Sequence, residues 1–281
     1  MSGKVYLVGA GPGDPELLTV RATRILAGAD VVLHDGLVSG AIVKLAVRAQ
    51  VINAGKRCGN NKMVTQEQIN EMLVEFGLRG GAVVRLKGGD PLIFGRAAEE
   101  IAALRAAGIE YEIVPGVTTA SCAAASAGMS LTYRKGASSL VFLTGHGGAG
   151  KSSENEWPDL APQGPASPDA TVVVYMPGSD PSILRDRLLA AGMLPSTPCL
   201  LVSGASTPAC QFHSTVVGDL ANAPELPAPK VLIAGEVVRS ARLAKEQMGQ
   251  GAAEFEGFAP LLHDLYDTWP EPKISSLAKK G

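Results

Sequence analysis

Apolar residues in the first 130 positions alternate between short continuous runs and stripes at helical spacing. Residues 5–8 (VYLV) predict a buried strand. Residues 15–27 predict a helix, with Asp14 as N-cap and Pro15 at the first helical position. Residues 31–33 predict a second strand ending at His34 and Asp35, and residues 51–53 a third ending at "AGKRCG". Ile69, Leu73 and Phe76 share one face of a helix over 66–76. Residues 83–86 predict a strand that runs into "KGGDP". Beyond it come a helix over 99–107, a strand over 111–114 and a small-residue helix opening at "PGVTTAS". Strands separated by helices in this way imply a mainly parallel sheet covered by helices. Ligands of such sheets bind beyond the carboxyl ends of the strands. The unusual residues gather there: "GAGPGD", "HDGLVS", "GKR", "KGGDP" and "PGVTT" each lie just after a strand.

The rhythm changes near Ser138. "SLVFLTG", "TVVVYMPG", "PCLLVSG", "QFHSTVVG" and "KVLIAGEVV" read as strands, with one clear helix over 181–191. Consecutive strands predict a mixed sheet. The expected organisation is an N-terminal α/β domain over 1–137, a C-terminal α/β domain over 138–243, and an extension over 244–281. Residues 147–169, rich in Gly, Pro and Ser, predict a surface loop. In the extension, Phe258, Leu261, Leu262, Leu265 and Tyr266 fall at helical spacing, with Trp269 beyond them.

Composition narrows the class without fixing the chemistry. Hydrophobic residues make up 46% of the 281 and charged residues 19%, which is globular rather than disordered. A net charge of −2 gives no general attraction to nucleic acid or anionic membrane. No window approaches the ~20 apolar residues of a membrane span. The N-terminus lacks the charged head and apolar core of a signal peptide, so a cytoplasmic protein is expected. Cys58, Cys122, Cys199 and Cys210 form no CxxC pair, and no metal site is expected.

Two glycine motifs compete for a nucleotide. The first turn offers Gly9, Gly11 and Gly13, but the third fingerprint glycine of a dinucleotide site would fall at Asp14, an acid that repels pyrophosphate. "GHGGAGKS", residues 145–152, matches a phosphate-loop pattern after a strand. The next segment, "SENEWPDLAPQGP", carries three prolines and no apolar stripe, so no helix N-terminus is on offer to hold phosphates.

In chain order, "VYLVGAGPGDPELLT", "VVLHDGLVS", "GKRCG", "VRLKGGDPLIFGR", "VPGVTTAS", "LTYRKGASS", "FLTGH" and "VVVYMPG" resemble the tetrapyrrole methyltransferases, over about residues 3–242. Within that family the string "RLKGGDPLIFGR" is most similar to the branch acting on uroporphyrinogen III. The resemblance implies a class III methyltransferase fold: two α/β domains, a parallel-sheet one and a mixed-sheet one, with the active site in the cleft. It implies a homodimer, S-adenosylmethionine as methyl donor with S-adenosylhomocysteine as its product, and methylation of uroporphyrinogen III at C2 and C7. The product would be precorrin-2, formed via precorrin-1, for sirohaem or cobalamin. By position, Pro12, Gly88, Gly89, Asp90, Ile93, Thr118, Thr119, Met176 and Ala205 match cofactor contacts. Asp35 and Lys56 match the proton acceptor and donor. A related enzyme with another tetrapyrrole substrate, an ATP-binding protein using residues 145–152 and a non-catalytic adenosine-ligand sensor are the rival readings.

The chemistry asks for such groups. An electron-rich pyrrole carbon attacks a methyl group directly, so the protein must position the reactants and exclude water. A carboxylate at a strand end, such as Asp35, is placed to take the proton released afterwards. A plain helix cap is the competing reading of Asp35 and of Asp90, carboxylate binding that of Lys56, and a core position that of Met176. Eight substrate carboxylates call for a local basic cleft. Arg57, Arg96, Arg134 and His146 are the candidate substrate contacts, with Lys135 beside them. The sequence departs from the family pattern at Gly36, Tyr133 and Lys230, in "NNKMVTQEQIN", and in "RAAEE" after Arg96.

Overall fold

The computed structural model describes residues 3–55, 57–58, 62–134, 137–145, 157 and 170–241, with residues 57, 58, 62 and 63 described as backbone alone. Residues up to Leu243 form one compact unit. The expected terminal helix and, Trp157 apart, the loop over 147–169 lie outside the described residues.

Two five-stranded sheets make up this unit. The first contains β1 (Lys4–Gly9), β2 (Val31–His34), β3 (Gln50–Asn53), β6 (Ala82–Lys87) and β7 (Glu110–Val114) in the order β3-β2-β6-β1-β7, every pairing parallel. Two short strands, β4 (Arg57–Cys58) and β5 (Lys62–Met63), pair separately as a hairpin. The second sheet contains β8 (Leu140–Thr144), β9 (Thr171–Tyr175), β10 (Pro198–Ser203), β11 (Gln211–Val216) and β12 (Lys230–Ala234) in the order β11-β10-β12-β9-β8. It is mixed: β8 and β9 are parallel, and the other pairs are antiparallel. The parallel and mixed character expected of the two sheets is what the structure has.

Burial on both faces explains the near-continuous apolar runs of the parallel strands. On one face Val8, Val32, Val84 and Leu86 pack with Leu26 of α1 (Val20–Ala27) and Ile42 of α2 (Gly40–Val43). On the other, Val5, Leu7, Leu33 and Val83 pack with Leu73 of α3 (Gln66–Arg79) and Leu104 of α4 (Ala97–Ala106). The alanines of α5 (Thr119–Ser126) pack instead on the second sheet, where Ala120 and Ala123 meet Val173, Leu200 and Ile233. Small side chains there let the helix lie close to the strands. The far face of that sheet is covered by Leu184 and Leu188 of α6 (Pro181–Ala190).

One expected helix is divided. Asp14 accepts from the Glu16 amide at 2.9 Å and caps only a 3-10 turn over Pro15–Leu17. Leu18 is extended, and Thr19 then caps α1 through its hydroxyl to Ala22 N at 3.1 Å. The segment carries two residues able to cap, Asp14 and Thr19, and the chain uses both.

Two of the cysteines are core residues. Cys122 and Cys199 are buried, and burial pushes the Cys199 thiol up to about 12.

Candidate active site

Three glycine-bearing turns meet where β1, β6 and β7 end. Gly11 N donates to Gly89 O at 3.1 Å, and Gly89 N returns a bond to Gly11 O at 2.7 Å. The third turn joins through Asp90, whose Oδ2 accepts from Gly116 N at 3.0 Å while Oδ1 accepts from Leu92 N at 2.8 Å. The crossing leaves no room for side chains. A Cβ on Gly116 would lie 2.4 Å from Gly89 O, and one on Gly9 would lie 2.6 Å from Gly116 N. We expect Gly116→Ala to destabilise the protein by about 1–3 kcal/mol through overpacking and to weaken ligand binding in the cavity beside it. A thermal melt and a cofactor titration on the same sample check both effects.

The cavity lies between these turns and the ends of β9, β10 and β12. All nine residues expected at the cofactor line it: Pro12, Gly88, Gly89, Asp90, Ile93, Thr118, Thr119, Met176 and Ala205. Asp35 lines it as well. Met176 is no core methionine, being 44% exposed at the cavity. Backbone strain is concentrated here. Phe94 and Met176, both in the lining, have φ of +52° and +48°, and Ser206, next to Ala205, has φ of +67°. Ser206 Oγ also accepts from Asp14 N at 3.2 Å, tying the second sheet's loop to the first turn.

Tyr175 carries no signal in the sequence beyond a strand position, yet it completes the wall. Its ring sits 5.1 Å from Phe94 and 5.5 Å from Phe142. Its hydroxyl is 2.5 Å from Thr118 Oγ1 and accepts from Ala120 N at 3.3 Å. Thr118, the N-cap residue of α5, makes no capping bond of its own, so a tyrosine from the other sheet satisfies that helix end. Burial raises the Tyr175 pKa, which keeps the phenol protonated and able to donate.

Asp35 is held from behind. Arg85, 2% exposed, pairs with it and also donates to Glu100 Oε1 at 2.9 Å. Burial alone would lower the Arg85 pKa, but the charges of Asp35 and Glu100 hold it above its ordinary value. Lys87, also buried, donates to the same Glu100 oxygen at 2.8 Å, and burial with the adjoining Arg85 charge lowers its pKa. The strand "VVRLK" places Arg85 within an apolar run, but its pattern does not show that Glu100 and Asp35 pair with it.

The expected substrate contacts are placed less centrally. Arg96 does not line the cavity. It adopts a left-handed conformation before α4, and its guanidinium makes two 2.7 Å bonds to the Glu99 carboxylate. Arg134 is exposed and also outside the lining. Lys56, the Arg57 side chain, Lys135, His146 and the rest of the phosphate-loop pattern beyond Gly145 lie outside the described residues. Lys230, one of the departures from the family pattern, does line the cavity, as does Leu37 beyond Gly36.

Known proteins give this geometry a family. Residues 4–221 match the family described as Tetrapyrrole (Corrin/Porphyrin) Methylases. A siroheme synthase of Azotobacter vinelandii is 47% identical over 244 residues, covering 84% of this chain and 50% of that protein. The chain thus spans about half the length of the curated relatives it matches. The uroporphyrin-III C-methyl transferase of Thermus thermophilus, solved with S-adenosyl homocysteine, is 39% identical with a TM-score of 0.71, covering 85% of this chain and all of that one. A cobalt precorrin-4 methyltransferase is 27% identical with a TM-score of 0.68, over 84% of this chain and 95% of that one. With most of its length matched, the chain belongs to the tetrapyrrole methylases.

Proposed function

We propose that this protein transfers methyl groups from S-adenosylmethionine to two pyrrole carbons of uroporphyrinogen III, forming precorrin-2. One observation carries the reading: nine separate positions, drawn from both halves of the chain, converge on one cavity that also presents Asp35. The lining suits the cofactor. Ile93, Met176, Val202 and Ala205 offer apolar walls for an adenine, the glycine turns offer close backbone, and Asp90 offers an anion for hydroxyl or ammonium groups. The cofactor supplies an electrophilic methyl group when bound. The chain's residues position it, exclude water and receive the proton that the ring system loses after carbon–carbon bond formation. Asp35 is the acceptor in this reading, with Lys56 managing the compensating proton transfer, so that one proton leaves for each methyl group gained, and Arg57, Arg96, Arg134 and His146 holding substrate carboxylates.

Uroporphyrinogen III is preferred to a later corrin intermediate because the chain is more similar to the methyltransferase named for uroporphyrin-III than to the precorrin-4 enzyme. No helix among the described residues is long and apolar enough to cross a membrane. The same reading carries a cytoplasmic homodimer and a product destined for siroheme or a related cofactor.

Calorimetry separates this reading from a nucleotide-binding one. S-Adenosylmethionine is expected to bind, NAD and ATP are not, and Lys151→Ala leaves the titration unchanged. ATP binding that disappears in Lys151→Ala would favour the phosphate loop instead.

A further inference from the structure

Behind Asp35 a chain of four charges runs from the cavity into the interior. Asp35 pairs with Arg85, Arg85 with Glu100, and Glu100 with Lys87. Asp35 is one-third exposed, whereas the other three side chains are at most 3% exposed. Glu100 Oε1 takes donors from Arg85 Nε and Lys87 Nζ, with Gln66 Nε2 at 3.3 Å. Glu100 Oε2 is sealed from solvent and has no hydrogen-bond partner among the described residues. The set holds two cations and two anions. Arg96, paired with Glu99, is a further cation close enough to feel the Glu100 charge.

Folding does not require this arrangement. Apolar residues of similar volume commonly serve as well as a buried ion network, and an unpartnered carboxylate oxygen is an added cost. Local rules are broken in this way mainly where function demands it. The network reaches the cavity at Asp35. Its inner end bears on the cofactor side too: the turn from Asp90 wraps over Lys87, and a Cβ on Gly95 would lie 3.2 Å from Lys87 Cε.

We propose that Glu100 is a positioning residue for methyl transfer, balancing Arg85 and Lys87 together so that Arg85 holds Asp35 in its working orientation without drawing it out of the cavity. This rests on the reading of Asp35 as proton acceptor. The Arg85 fork can satisfy two carboxylates at once, and without Glu100 both cations would bear on Asp35 alone.

The test uses Glu100→Gln, Lys87→Met and the double variant, each counted by S-adenosylhomocysteine binding so that kcat is expressed per folded site. Each single variant is expected to lose about tenfold or more in kcat while KM for S-adenosylmethionine stays within about twofold. The double variant, with charge balance restored, is expected to return to within about threefold of the parent. A kcat per site unchanged in either single variant, or a double variant no better than the worse single one, overturns the proposal. If Glu100→Gln does not fold, Lys87→Met and the double variant decide by the same comparison. The Arg85 Nε–H resonance gives a readout independent of methyl transfer: it should exchange slowly in the parent, lose that protection in Glu100→Gln and regain it in the double variant, and unchanged protection in Glu100→Gln overturns the proposal. Should the parent methylate nothing, the proposed function fails separately and this resonance still judges whether Glu100 holds Arg85; should Asp35→Asn remain fully active, methyl transfer stands and the inference falls with the Asp35 role.

Discussion

Arg85→Met is expected to be the most damaging single substitution in the molecule. Its side chain is 2% exposed and bridges Asp35, Glu100 and the Leu33 carbonyl. Methionine fills comparable space but leaves Asp35 without this partner and Glu100 with Lys87 as its remaining cation beside Gln66. Breaking a buried pair from one side costs about 3–5 kcal/mol, because the remaining charge is stranded out of water. Chemical denaturation should show a fall of that size, and the fraction that folds should bind cofactor yet transfer methyl groups poorly, since Asp35 is no longer held. Arg85→Lys keeps the charge but not the planar fork, so it should recover part of the stability and little of the activity. A stable, active Arg85→Met protein would mean that the network has no bearing on Asp35.

Asp90→Ala has the second-largest expected effect, and it acts on binding. The carboxylate already accepts two backbone amides, Leu92 N and Gly116 N, so it fixes the shape of its own turn and pulls the next turn against it. It also lines the cavity, where its remaining lone pairs are available to a ligand. Alanine removes both functions. We expect cofactor affinity to fall about 100-fold, near 2.7 kcal/mol, with hydrogen bonds to a charged group each contributing a substantial part. Asp90→Asn should keep one acceptor oxygen and lose less. Calorimetric titration with S-adenosylhomocysteine reads the change directly. Equal affinity in the alanine variant would leave Asp90 as a turn residue only.

Part of the cavity wall was legible in the glycine, proline and acidic residues that follow strands, while the nine individual positions came from the family resemblance. "GAGPGD" and "KGGDP" are turns that only close backbone approach explains, and the structure shows them bonded to each other through Gly11 and Gly89. Periodicity likewise located the parallel strands, whose two-faced burial makes them uniformly apolar. It failed where a long-range partner decides the outcome. The expected helix from Pro15 breaks because Thr19 supplies a second cap, a choice that residue spacing leaves open. Tyr175 is indistinguishable from a core aromatic until the Thr118 hydroxyl is found 2.5 Å from its own. Arg85, Lys87 and Glu100 sit in elements whose local patterns predict nothing about their meeting, since the contact joins β6 to α4. Arg96 shows another limit: the motif marks it, but residue spacing does not announce that Glu99 three residues on pairs with it outside the cavity lining.

The most direct measurement is the mass of the product formed when the purified protein is incubated anaerobically with uroporphyrinogen III and S-adenosylmethionine. A product two methyl groups heavier than the substrate, with S-adenosylhomocysteine released in a two-to-one ratio, is the predicted result. Unmodified uroporphyrinogen III, recovered from protein that demonstrably binds the cofactor, would contradict it.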